Sequence, residues 1–120
     1  MIRLLSDLPE NVVGIEVSGT VTDDDYERVL VPAVRERLAS VGAIRIVYVI
    51  GKDFDGWTMG AMWEDAKLGL GELKEWERVA VVTDKDWVRH VVGAIGWMVP
   101  GDVRVFGLDG LEDAKAWAAA

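Results

Sequence analysis

Ile44-Arg45-Ile46-Val47-Tyr48-Val49-Ile50 decides the fold. The run is nearly continuous in apolar residues, broken only by Arg45. A strand open to water on one side alternates apolar with polar residues, so an unbroken run predicts a central parallel strand covered on both faces. Reading outward toward the C-terminus, Gly51 to Trp57 is a polar, glycine-containing stretch expected to form a loop, and Thr58 is placed to cap a helix running to about Leu70. Met59, Met62, Trp63, Ala66 and Leu70 share one face of that helix. Arg78 to Thr83 reads as the next strand, and Asp84 as the cap of a helix from about Asp86 to Trp97. Val103 to Phe106 reads as the last strand, with Asp109 capping a final helix that ends in Ala118 to Ala120.

Toward the N-terminus, Gly42 stops the preceding helix. That helix opens at Thr22 with Asp23, Asp24 and Asp25, a capping-box-like start whose carboxylates lie where the helix dipole favours them. Tyr26, Val29, Leu30, Ala33, Val34, Leu38 and Val41 make its apolar stripe. Pro32 interrupts the stripe, which predicts either a kink or a second helix starting near Pro32. Ahead of it, Ile2 to Leu5 and Val12 to Gly19 flank a turn containing Pro9 and Asn11 and read as a β-hairpin. In its second arm Val13, Ile15 and Val17 face one way and Gly14, Glu16 and Ser18 the other, with Gly19 as the expected end. The order ββαβαβαβα predicts an α/β fold: a mostly parallel five-stranded sheet with helices on both faces, joined by right-handed crossovers.

The chain has 120 residues, 51% of them apolar, which suits one domain with one core and no linker or repeat. Acidic residues outnumber basic ones by 21 to 13, for a net charge of −8. That charge argues against nucleic acid as a partner and disfavours electrostatic attraction to anionic lipid. With no cysteine there are no thiolate nucleophiles or thiolate metal sites, and a cytoplasmic location is compatible with the composition. Met1 to Glu10 lacks the pattern of a secretion signal, and runs such as Val79 to Val82 are far shorter than the roughly 20 residues a membrane span needs.

The layout resembles STAS domains, and within them the SpoIIAA-like family, of STAS/SEC14 type. The residues that carry the resemblance are Asp25-Tyr26 and Leu30-Val31-Pro32, then Phe54-Asp55-Gly56-Trp57 and Ala61-Met62-Trp63-Glu64-Asp65, then Val79 to Trp87. The resemblance implies a noncatalytic domain that binds lipid-like ligands or associates with membranes. The anti-sigma-factor antagonists of the wider group carry a phosphorylatable serine before the second helix. Here that region reads Lys52-Asp53-Phe54-Asp55-Gly56-Trp57-Thr58, without the serine, so the kinase-regulated switch does not carry over.

Phe54, Trp57, Met59, Met62, Trp63, Trp87 and Val91, with Ile95 and Met98 beyond them, form the candidate ligand-binding group. Ordinary core packing accounts for any one of them. As a group they combine polarizable methionine with the amphipathic tryptophan ring, a pairing suited to greasy ligands and membrane interfaces. A loop position for Trp57, and glycines at 60, 69 and 71 that weaken the following helix, suggest a helix able to move. Asp23 to Asp25, Asp53, Asp55, Asp84 and Asp109, with Lys52 and Thr83, collect near the carboxyl ends of the strands. A magnesium-dependent phosphoacceptor site also needs a lysine after the last strand, and Phe106-Gly107-Leu108 supplies none. His90, the single histidine, has no adjacent nucleophile motif and reads as an exposed helix residue. Glycine patterns fit no nucleotide loop.

The expectation is therefore a non-enzyme, with no cofactor and no metal. Its partner is an apolar small molecule or lipid, taken in the cytoplasm or at the periphery of a membrane. The alternative is a regulatory module that docks a protein partner at Thr58 and its neighbours. Homodimerization through exposed apolar helices is a further expectation.

Overall fold

Residues Ile2–Leu4 (β1) and Val13–Val21 (β2) form the expected antiparallel hairpin, with Ile2 opposite Val17 and Leu4 opposite Ile15. The computed structural model describes residues 1–71, 75–98 and 101–120. After β2 come a short helical turn Asp23–Asp25 (α1), a π-helical turn Tyr26–Leu30, and Val31–Val41 (α2). Ile44–Trp57 (β3), Met59–Gly71 (α3), Trp76–Thr83 (β4) and Asp86–Ile95 (α4) follow. A 3-10 turn at Gly96–Met98, then Asp102–Phe106 (β5), a second 3-10 turn at Leu108–Gly110 and Leu111–Ala119 (α5) complete the chain.

Thr22 caps α1 in a reciprocal box: its Oγ1 accepts from the Asp25 N–H at 3.2 Å, and its own N–H donates to Asp25 Oδ2 at 2.9 Å. Pro32 falls at the start of α2, and the π-helical turn just before it explains how it is tolerated. A proline ring collides with the carbonyl four residues back; widening that turn, so that Val31 donates to Tyr26 O, relieves the collision. Gly42 ends α2 with φ of 83°, a left-handed conformation suited to glycine.

The five strands lie in the order β1-β2-β3-β4-β5, antiparallel at the first step and parallel afterwards. Each parallel strand is added beside the one before it, so the crossovers advance in one direction and their helices fall on one face. Leu30, Val34, Ala61 and Val88 of the helical segments bury there against Val13, Ile15, Val17, Ile46, Ile50 and Val81. Among the described residues only α5 crosses to the other face, where Ala114 and Ala118 sit on Val47, Val49, Ala80 and Val82. Helices thus do cover both faces, α2, α3 and α4 with the π-helical turn on one and, among the described residues, α5 on the other.

Alanine at both contact positions brings α5 close to the sheet. Gly14 is needed beneath the same layer, since a side chain there would run into Leu8 and Leu5. At the helix C-terminus, arginines from three successive strands do what the last turn of α5, with no basic residue, cannot. Arg45 donates to Ala118 O at 3.0 Å and Arg78 to Trp117 O at 2.6 Å, while the Arg78 and Arg104 guanidinium groups lie 5.2 and 5.1 Å from the Trp117 ring centre.

Four sequence expectations are corrected. Gly19 does not end β2; with φ of 58° it forms a bulge, and pairing resumes as far as Val21. The Gly51 to Trp57 stretch is not a loop but the continuation of β3, with Gly19 opposite Phe54 and Val21 opposite Trp57. Asp84 does not cap α4, since the helix begins after Lys85; its Oδ1 accepts from Leu108 N–H and pins the turn leading to α5. Asp109 lies inside the 3-10 turn, and α5 starts after Gly110 without a side-chain cap.

Candidate functional site

The extension of β3 past its neighbour β4 carries the candidate site. Along it Phe54 turns inward and is buried, while Lys52, Asp53 and Asp55 face water. Trp57, half-buried at the end of the strand, meets Phe54 edge-on at 4.7 Å between ring centres and Trp87 of α4 at 5.8 Å; Phe54 and Trp87 stack at 6.2 Å. Three of the residues singled out from the sequence are thus brought together in one aromatic cluster that joins the sheet to α4.

From the same Trp57 a hydrogen-bond chain runs the other way, into α3. The Trp57 Nε1–H donates to Tyr48 OH at 3.0 Å, Tyr48 and Tyr26 hydroxyls lie 2.9 Å apart, and Tyr26 donates to Asp65 Oδ1 at 2.9 Å. Tyr26 spends its single proton on Asp65, so Tyr48 must donate to Tyr26, and the chain has one direction. Desolvation, and for Tyr26 the Asp65 charge next, push both phenols far above their ordinary value, so they remain protonated. Desolvation also raises the Asp65 carboxyl, with the Tyr26 hydrogen bond opposing it. The residue as a whole keeps contact with water, which moderates that rise.

Helix α3 is built inside out. Its inward face carries Thr58 at the cap, the fully buried Ala61, and Asp65, which reaches the Tyr26 hydroxyl while the residue stays exposed to water, at a spacing of three and four residues. Met59, Met62 and Trp63 point outward, Met59 with 87% and Trp63 with 66% of its surface exposed. Core packing, which would account for any one of these residues, does not hold for Met59, Met62 and Trp63; Ala66 and Leu70, assigned to the same face, have side chains outside the described residues. Gly60 is a packing feature rather than a weak point, because a side chain there would press on Asp23 of α1 at 3.0 Å. Side-chain statements for Ile95 and Met98 likewise fall outside the described residues.

On α4, Val88 and Val92 pack into the core, and Trp87 and Val91, one turn apart, are left exposed beside them. Thr58 Oγ1 accepts from the Ala61 N–H at 3.1 Å, as the cap position requires. His90 is exposed. Among the described residues no three acidic or histidine side chains converge to hold a metal ion. Sequence reasoning missed the Tyr26, Tyr48 and Asp65 relay. The available signals were a phenol inside an aliphatic strand and an acid in the middle of an apolar helix.

No helix of the described residues is long and apolar enough to cross a membrane. No curated protein matches the sequence. Among solved structures, the chain is similar to an uncharacterized protein from the DUF3478 family with a SpoIIAA-like fold, from Shewanella loihica PV-4. The TM-score is 0.79 at 26% identity, over 98% of this chain and 93% of that one. The SpoIIAA-like family model matches residues 12–119, which takes in β2 with its bulge, the relay, the aromatic cluster and all of α5, and the chain belongs to the SpoIIAA-like family.

Proposed function

We propose that this chain is a noncatalytic binding domain that takes an apolar, lipid-like ligand, or the apolar layer of a membrane it visits peripherally, through α3 and α4. The observation that carries the reading is the inverted polarity of α3. A helix that turns alanine and aspartate inward and two methionines and a tryptophan outward leaves apolar area uncovered that an ordinary surface helix would bury. Trp87 and Val91 add exposed apolar surface on α4, and Trp57 links the two helices through its ring contacts and its place next to the α3 cap. The phenols of the relay are held protonated and committed to one another, which supports a positioning role rather than proton transfer. With a net charge of −8, binding rests on apolar contact, so it should depend little on salt or on anionic headgroups.

The test is native mass spectrometry of the purified protein, followed by tryptophan fluorescence during titration with neutral and with anionic vesicles. A co-purified lipid mass supports the reading. So does a blue shift that survives salt and is lost when Met62 and Trp63 are replaced by alanine. An absence of both would sink it and turn attention to a protein partner. Alanine at these two exposed positions should change folding stability by no more than about 0.5 kcal/mol, which separates a lost ligand from a damaged fold.

A further inference from the structure

The two edges of the sheet are finished differently. β1 is three residues long, and next to it the chain's amino group is tied to the Ser18 carbonyl at 2.8 Å. β5 has five residues and, among the described residues, pairs only with β4. Asp102 and Arg104 alternate along it, both exposed and opposite in charge. Neither makes an ion pair among the described residues. An edge that is merely protected from aggregation carries charge that repels a second copy of itself. Opposite charges two residues apart do the reverse in antiparallel self-pairing. With the two-fold axis through Val103, Asp102 stands opposite the other copy's Arg104, and Arg104 opposite the other copy's Asp102.

We propose that β5 is a self-association edge, and that two copies of this chain pair through it antiparallel about Val103, joining two five-stranded sheets into one. The charge pairs fall on the α5 face, where Arg104 is already steadied over Trp117. On the α4 face the same register sets Val103 against Val103 and Val105 against Gly101. There the edge borders a shallow depression of about 360 Å³ lined by Val92, Gly96, Trp97, Val103 and Val105. Trp97, 81% exposed, supplies apolar area beside the axis. This surface is separate from the outward face of α3 and does not depend on the ligand reading.

The test is sedimentation velocity of the full chain over a concentration series, with melting curves to confirm that each variant is folded. The wild type is expected to show a monomer–dimer equilibrium. Asp102→Arg or Arg104→Asp alone puts like charges opposite each other twice per dimer and should weaken association about thirtyfold. Mixing the two single variants should restore dimers as a heterodimer, and the double exchange should restore the homodimer. A wild type that stays monomeric to its solubility limit overturns the proposal. So does a dimer indifferent to these exchanges but lost on replacing Met62 and Trp63, which would place the contact on α3.

Discussion

Among the described residues, α2, α3 and α4 share the cover of one sheet face with the π-helical turn, and α3 is held by a chain of hydroxyls ending on Asp65; on the other face α5 is the one helix over a smaller core that Leu5 and Leu8 also help to close. Small side chains let α5 approach closely, and the three arginines grip its end, so that face offers little room for change. Helix α3 spends its larger apolar side chains outward and relies on polar contacts inward. The inward side of α3 therefore rests on a few directional bonds, and losing one of them leaves its buried partner unsatisfied.

The strongest way to test the contrast is to break the thin face. Trp117→Ala removes a ring that packs 6.0 Å from Phe106 and lies beneath two guanidinium groups. It should cost about 3 kcal/mol in urea unfolding, as one cooperative loss. The next largest effect should come from Tyr26→Phe. It keeps the packing of a fully buried ring but leaves Tyr48 without its acceptor and Asp65 without its donor. A global cost of about 2 kcal/mol is expected, with hydrogen exchange accelerated mainly in α3. If α3 keeps its protection, the relay is not what holds it.

The smallest effect sharpens the comparison through pH. Because the folded Asp65 pKa is raised, the folded state binds more protons than the unfolded chain above the ordinary carboxylate value of about 3.9. Stability contributed here therefore falls as pH rises from that value through the raised one. Asp65→Asn keeps an oxygen to accept from Tyr26 and removes the titration. Protection of α3 in that variant should become flat across the window, with global stability within about 1 kcal/mol of wild type. Asp65→Ala, with no acceptor, should loosen α3 at every pH; equal behaviour of the two variants would show that the hydrogen bond does not matter.

Much of the architecture was legible because it rests on local signals: the apolar run at Ile44–Ile50, the Thr22 box, and the left-handed stop at Gly42. The end of β3 was not, because it is paired on one side only. Two aspartates and two glycines between Ile50 and Trp57 carry the composition of a loop, and the partner that makes them a strand lies across a bulge at Gly19. The members of the candidate group were visible as residue types, but not their directions. Helical spacing shows that Met59, Met62 and Trp63 share a face; only the tertiary partners of Ala61 and Asp65 settle which way it points. The relay was hidden for a related reason, since its members are 22, 9 and 39 positions apart.

The strand order also sets a timetable. Each strand from β2 onward docks beside one already made, so during synthesis the sheet can grow outward step by step with short-range closures. The face beneath α5 follows another schedule. Val47, Val49, Ala80 and Val82 are all translated before α5, the one helix among the described residues that covers them, and until α5 emerges only Leu5 and Leu8 are at hand to shield this aliphatic sheet surface. That interval, rather than any property of the finished molecule, is where this chain is most exposed to aggregation and to chaperones.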